Sequence, residues 1–200
     1  MRTLSRDSRA ITSVLTVTAT AIATAALAQS RYNAETLLFA PGEAYTVGYR
    51  SSHDNSSLTE FVPTGQTVQD WTEMYTVRVF NHAPEDAPAF LQSVGKKFTD
   101  ACPGTTVGKG GVITGTVNGY AVSMLLLSCP RNPATGKPET TAFRVIKGRD
   151  SLYSVQHAWR TQVSGQQLAE AMQALAKVTV CDDRSADHPC PSLDSLVTPK

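Results

Sequence analysis

Hydrophobic positions crowd together near the start of the chain and are spaced out afterwards, and the spacing names the elements. Residues 10–27 are an almost unbroken run of Ala, Val, Leu, Ile and Thr, with Arg2, Arg6 and Arg9 before it and Ala26-Leu27-Ala28 closing it. From residue 44 apolar and polar residues alternate. Tyr45, Val47 and Tyr49 fall on one side of a strand over 44–51. A second strand over 58–62 is stopped by Pro63 and Gly65, and a third over 72–80 puts Tyr75, Val77 and Val79 on one side.

The period then changes. Phe90, Val94, Phe98 and Ala101, flanked by Leu91, recur at helical spacing over 86–102, with Asp86 as N-cap, Pro88 in the first turn and Pro103-Gly104 as the stop. Runs over 112–117 and 120–128 flank Asn118-Gly119, a pair suited to the positive φ of a type I′ hairpin turn. After a polar loop over 131–138, strands over 141–146 and 152–159 form another hairpin across Lys147-Gly148-Arg149-Asp150. Tyr153, Val155, His157 and Trp159 share one face of its second strand. A last helix over 164–178 starts at a Ser164/Gln167 capping box and buries Leu168, Ala171, Met172 and Leu175.

Three strands, a helix, four strands and a helix predict an α+β fold: an antiparallel sheet of about seven strands with two main helices packed on one face. The expected organisation is a leader over 1–28, a lead-in over 29–43, one domain over 44–180, and a polar tail over 181–200 carrying a small disulfide loop.

The basic head, short apolar middle and small residues before position 29 form a secretory signal, cut between Ala28 and Gln29. The expected compartment is a bacterial periplasm or the exterior. No later stretch reaches the roughly 18 apolar residues of a membrane span. A lipid anchor and a twin-arginine route are not expected, because Gln29 rather than Cys stands directly after the cut and no Arg-Arg pair stands in the leader. The chain has 18 basic and 17 acidic residues, and the leader takes three and one of them. The mature balance of 15 to 16 offers no basic excess for nucleic acid or an anionic membrane.

Cys102, Cys129, Cys181 and Cys190 all lie well beyond the cut. An even count in an exported chain points to disulfides, of which four Cys allow three pairings. Cys102–Cys129 with Cys181–Cys190 is the favoured set, tying a helix end to a strand end and closing a loop in the tail. Zinc-type CxxC spacing is absent.

Several stretches carry a likeness. Glu60-Phe61-Val62-Pro63, Gly65, Trp71-Thr72-Glu73-Met74, Asn118-Gly119-Tyr120, Leu125-Leu126-Leu127-Ser128-Cys129-Pro130 and Thr141-Ala142-Phe143-Arg144-Val145-Ile146-Lys147-Gly148 resemble a pattern in uncharacterised exported bacterial proteins. The order of elements resembles the PsbP-like fold, shared by DcrB-type exported proteins and a nuclear-transport factor. The resemblance implies a binding or assembly role and supplies no catalytic residues.

Motifs for chemistry are incomplete. Residues 104–110 hint at a phosphate loop, but the spacing is one residue short, Gly110 stands where Ser or Thr would bind Mg, and a helix rather than a strand precedes it. Ser93-Val94-Gly95-Lys96 fits a Ser-x-x-Lys string without its companion strings. His53, His82 and His188 sit in turns or the tail. His157 lies between Val155 and Trp159, as either a buried His needing hydrogen-bond partners or a general base in a cleft. Asp70 and Glu73 flank Trp71, whose plainer role is core anchoring; aromatic residues at 7% leave little for a sugar platform.

The sequence thus predicts a binding or assembly protein of the envelope, leaning away from enzyme function, with no catalytic residue, metal or cofactor assigned. Its expected partner is an envelope protein or small ligand, met by a sheet face or end carrying Trp71, Arg144, His157 and Trp159. The alternatives are a small hydrolase using His157 with Asp70 or Glu73, and a metal or small-ligand carrier using His53, Asp54 and His157.

Overall fold

The computed structural model describes residues 34–191. The leader, its cut site, residues 29–33 of the lead-in and the tail beyond 191 lie outside the described residues. Ten strands and two helices follow in chain order: β1 (Glu35–Leu38), β2 (Tyr45–His53), β3 (Ser56–Pro63), β4 (Glu73–Asn81), α1 (Ala87–Ala101), β5 (Thr106–Val107), β6 (Ile113–Val117), β7 (Tyr120–Cys129), β8 (Glu139–Lys147), β9 (Ser151–Trp159), α2 (Gly165–Ala176) and β10 (Thr179–Asp182).

Local chemistry starts these elements where the sequence predicts. The Asp86 carboxylate accepts from the Ala89 N–H at 2.8 Å and opens α1. Ser164 and Gln167 close a full capping box at the head of α2. Asn118 and Gly119 take φ of 45° and 77°, and β6 and β7 zip outward from Val117 opposite Tyr120.

The main sheet is antiparallel and eight-stranded, in the order β2-β3-β4-β9-β8-β7-β5, with β6 also pairing with β7. β1 and β10 form a separate two-stranded ribbon. The α+β class, the large antiparallel sheet and the two helices are as expected. Two strands fall outside the 44–180 span expected for the domain: β1 lies in the lead-in, and β10 runs on to Asp182.

The two helices do not share a face. Leu91 of α1 packs with Leu125, Leu127, Phe143, Val145 and Leu152. Leu175 and Ala171 of α2 pack with Tyr120, Val122, Ala142, Ile146, Tyr153 and Val155. Successive strand residues point to opposite sides, so these two sets occupy opposite faces of β7, β8 and β9. The cause is visible in those strands: β8 is buried at its six successive positions 141–146 and β9 at all but one, and a strand buried on both sides needs a cover on each. The face under α2 also receives Leu37, Phe39, Val178 and Val180 from in and around the ribbon.

One strand departs from simple alternation. Val47 pairs with Phe61, but Tyr49 pairs with Glu60, so a bulge at Gly48 turns Tyr49 away from the face of Tyr45 and Val47. A Cβ at Gly48 would lie 2.9 Å from Val68 Cγ1, which requires glycine at the bulge.

Both favoured disulfides are present, Cys102–Cys129 and Cys181–Cys190, and no free cysteine is found among the described residues.

Candidate functional site

The register of β4 against β9 places Glu73 opposite Trp159 and Tyr75 opposite His157, on the face that α2 and the ribbon cover. Directly opposed residues are close neighbours, and contact results. Glu73 Oε2 accepts from Trp159 Nε1 at 3.2 Å and lies 3.2 Å from His157 Nε2. The imidazole stacks on Tyr75 with 3.8 Å between ring centres and meets the Trp159 ring at 3.9 Å. Tyr45 and Phe39 stand edge-on or tilted against Tyr75 at 5.1 and 5.3 Å.

Burial sets the electrostatics of this cluster. It lowers the His157 pKa from 6.5 to about 4, with the Glu73 charge and hydrogen bond pulling the other way. It raises Tyr75 to about 12, aided by the Glu73 charge, and raises Tyr45 further for the same two reasons. His157 is therefore a neutral imidazole at physiological pH. Its Nδ1 is buried and makes no hydrogen bond among the described residues. The Glu73–His157 pair that a hydrolase would need is formed. The second ring nitrogen, where a nucleophile would have to stand, has no hydroxyl or thiol within hydrogen-bond reach there.

The four expected contact residues do not make one surface. Trp71, Arg144, His157 and Trp159 are only 4–6% exposed. Trp71 lies on the opposite face, packed with Val62, Met74 and Ala158 under the Arg160 guanidinium, which sits 4.0 Å above its ring. Arg144 shares the face of His157 and Trp159. It donates through Nε to the Val178 carbonyl at 2.8 Å and through a terminal nitrogen to Met124 Sδ at 3.6 Å. Asp70 pairs with Lys137 at 3.3 Å rather than with His157. His53 and Asp54 occupy the β2–β3 turn. His53 lies level with Leu152, five residues along β9 from His157, so the three do not converge as a metal set. Among the described residues no group of three or more His, Cys, Asp or Glu is placed to hold a metal.

The other flagged stretches are structural. Residues 104–110 form β5 and a turn held by Gly108 N–H donating to the Leu126 carbonyl at 2.8 Å. Lys96 pairs with Asp100 at 2.6 Å on the solvated side of α1.

What the sequence did not reveal is a half-open cleft of about 230 Å³ where the chain passes from β1 to β2. Leu38, Phe39 and Pro41 form one wall, Lys177 and Val178 another, and Tyr75 also lines it. Its one advance signal is Phe39, an aromatic residue in a stretch otherwise reading as lead-in. A second opening, about 340 Å³, adjoins the Cys129 end of a disulfide and is lined by Thr106, Ser128, Pro130, Pro138, Thr140 and Thr161.

The fold and site define an α+β protein with a polar cluster, buried at His157 and half-buried at Glu73, beside an open cleft. The sequence matches no protein-family model and no curated protein. Among solved structures, it is similar to LpqN, involved in cell envelope biogenesis of Mycobacterium tuberculosis, at a TM-score of 0.45 and 15% identity over 76% of this chain and 87% of that one. It is also similar to the Saccharomyces cerevisiae Ran-binding protein Mog1p, at 0.43 and 11% over 70% and 78%. A point mutant of Mog1 gives 0.42 and 11% over 70% and 79%. At these scores and identities the likeness concerns the fold alone.

Proposed function

We propose that the chain is an exported, non-enzymatic binding or assembly protein of the bacterial cell envelope. The observation that carries export is the state of its cysteines. All four are paired, one bridge tying the end of α1 to the end of β7 and the other closing a short loop near the C-terminus, and paired thiols are the chemistry of an oxidising compartment. The basic head and apolar run before Gln29 support the same reading, and the likeness to exported proteins of PsbP-like fold agrees with it.

Binding rather than turnover is supported by the polar cluster. His157 is clamped between two aromatic rings, is held neutral and faces no nucleophile among the described residues. Arg144, His157 and Trp159 serve as a support behind the contact face rather than as the face itself. The partner is an envelope protein or a small ligand received on the side of the sheet that carries the cleft.

Expression of the full chain in a bacterial host, with fractionation and intact mass, tests the compartment. The expected product starts at Gln29, lies outside the cytosol and shows the mass deficit of two disulfides. A cytosolic product starting at Met1 with free thiols would overturn it. On esterase and glycosidase substrates, the parent and His157→Gln are expected to be equally inert. Turnover by the parent that His157→Gln loses would end the non-enzymatic part.

A further inference from the structure

We propose that the cleft bounded by Leu38, Phe39, Pro41, Tyr75, Lys177 and Val178 binds a small monocarboxylate with an aromatic or short aliphatic body. This deepens the binding reading above and rests on it.

The walls set the body of the ligand. Leu38, Phe39, Pro41 and Val178 are apolar, and the Tyr75 ring adds aromatic surface. At about 230 Å³ the cleft lies below the roughly 300–1,000 Å³ of sites for drug-sized ligands, which suits a smaller molecule such as an arylacetate or a six-carbon acid.

The polar groups set the head. Lys177 is the single charged residue lining the cleft, and it has no carboxylate partner among the described residues. Tyr75 is 7% exposed, and its hydroxyl makes no hydrogen bond among the described residues. With its pKa raised to about 12 that hydroxyl is a donor. Glu73, the carboxylate against Tyr75, is engaged by Trp159 and His157 and does not line the cleft. A ligand there meets donors and must bring an acceptor.

Lys177, and behind the wall Arg144, favour an anionic acceptor. Arg144 is 5% exposed, yet its partners are a carbonyl and a thioether, and no carboxylate among the described residues neutralises it. Buried charges are normally paired, because an isolated one loses most of its hydration. The carbonyl it holds belongs to Val178, which is itself a wall of the cleft. Arg144 does not line the cleft, but it holds the backbone of one of its walls, so a carboxylate beside Lys177 would sit on the side of the sheet that already carries this unneutralised cation.

The probes are phenylacetate, hexanoate and the neutral isostere 2-phenylethanol, titrated into the mature, disulfide-bonded protein and followed by heteronuclear NMR. Both acids are expected to saturate, moving resonances of Phe39, Tyr75, Lys177 and Val178. The alcohol should bind about tenfold more weakly. Lys177→Glu, at an exposed position, should lower phenylacetate affinity by about tenfold or more without changing that of the alcohol. Equal affinity for acid and alcohol, indifference to Lys177→Glu, or shifts confined to residues outside the cleft would overturn the assignment. Any of these leaves the export reading standing, because that is decided by compartment and mass.

Discussion

His188 lies flat on Tyr120, with 3.9 Å between ring centres and 20° between planes, while its Nδ1 meets the Asn118 carbonyl at 2.8 Å. One residue of the tail thus reads the β6–β7 turn through both a ring and a carbonyl. Asn118 answers by donating to the carbonyls of Val180 at 3.0 Å and Pro189 at 3.3 Å. The loop closed by Cys181–Cys190 is the clamp that keeps His188 in place. The turn that starts a hairpin is also the seat of the C-terminal segment.

Gly119→Ala tests that seat. Gly119 has φ of 77°, and an added Cβ would come within 2.6 Å of His188 Nδ1 and 3.2 Å of the Asp187 carbonyl. Left-handed backbone strain and the displaced ring together should cost about 1–2 kcal/mol in urea unfolding. The His188 ring protons should lose the upfield shift that Tyr120 imposes. An unchanged His188 spectrum would show that the stack does not exist in solution.

Opening the clamp itself acts through the unfolded chain. Removing a crosslink that spans nine residues in sequence, by Cys181→Ser with Cys190→Ser, should cost about 2–3 kcal/mol on loop-closure entropy. The longer Cys102–Cys129 loop, a separation of 27, should cost about 3–4 kcal/mol when removed in the same way. Denaturant midpoints of the two double variants give the order directly, and the reverse order would mean that tail docking outweighs loop length.

His157 gives stability a sign with pH. The unfolded imidazole takes its proton near 6.5 and the folded one only near 4. Between those values the unfolded chain binds more protons. Stability from this site is therefore complete above about pH 6.5 and is lost as the pH falls toward 4. At about 1.4 kcal/mol per pKa unit the loss is about 3 kcal/mol. Asp182, held down to about 2 first by its hydrogen bond to Arg184, loses its own contribution only as pH falls from 3.8 towards 2, so the windows barely meet. Urea unfolding at a series of pH values should show the upper slope in the parent and not in His157→Gln.

The parts legible in the sequence are those fixed by neighbours along the chain. Asn118-Gly119, the Ser164/Gln167 box and the Asp86 cap each satisfy a local backbone demand, so residue type alone locates them. The disulfides are legible because an even count of cysteines standing at element ends leaves few sensible partners. The Glu73–His157 pair is nameable as a possibility, although only the β4–β9 register makes it a contact. What stays hidden depends on distant pairing. β1 and β10 are four residues each and stabilise one another across the chain, from Glu35 opposite Asp182 to Leu38 opposite Thr179. The division of the helices between two faces comes from strands buried on both sides, a pattern that a short apolar run does not reveal by period alone. Trp71 groups with His157 in the sequence because both are aromatic and near strand ends, but it precedes β4 in a loop, where strand alternation assigns no face.

Arg144→Met asks whether the buried cation is held for stability. The change orphans the Val178 carbonyl, at about 1–3 kcal/mol, and removes a desolvated charge whose burial costs several kcal/mol. The variant should unfold within about 1 kcal/mol of the parent or later. A loss above about 3 kcal/mol would mean that the guanidinium is already paired, by an anion or by a segment outside residues 34–191.

The placement of the helices on opposite faces has an energetic signature of its own. Leu91 and Leu175 are both fully buried, one under α1 and one under α2, with the sheet between them and no shared neighbour in the two core clusters. Leu91→Val and Leu175→Val each remove one methylene and change the branching, which should cost about 1 kcal/mol apiece. Residues separated by a packed layer share no cavity and no backbone shift, so the double variant should lose the sum to within about 0.5 kcal/mol. Two helices packed side by side on one face would let the second cavity relax into the first, giving a coupling of about 1 kcal/mol or more. Urea unfolding of the parent, both single variants and the double, at constant m-value, measures the difference, and a coupling of that size would mean the two leucines share one core.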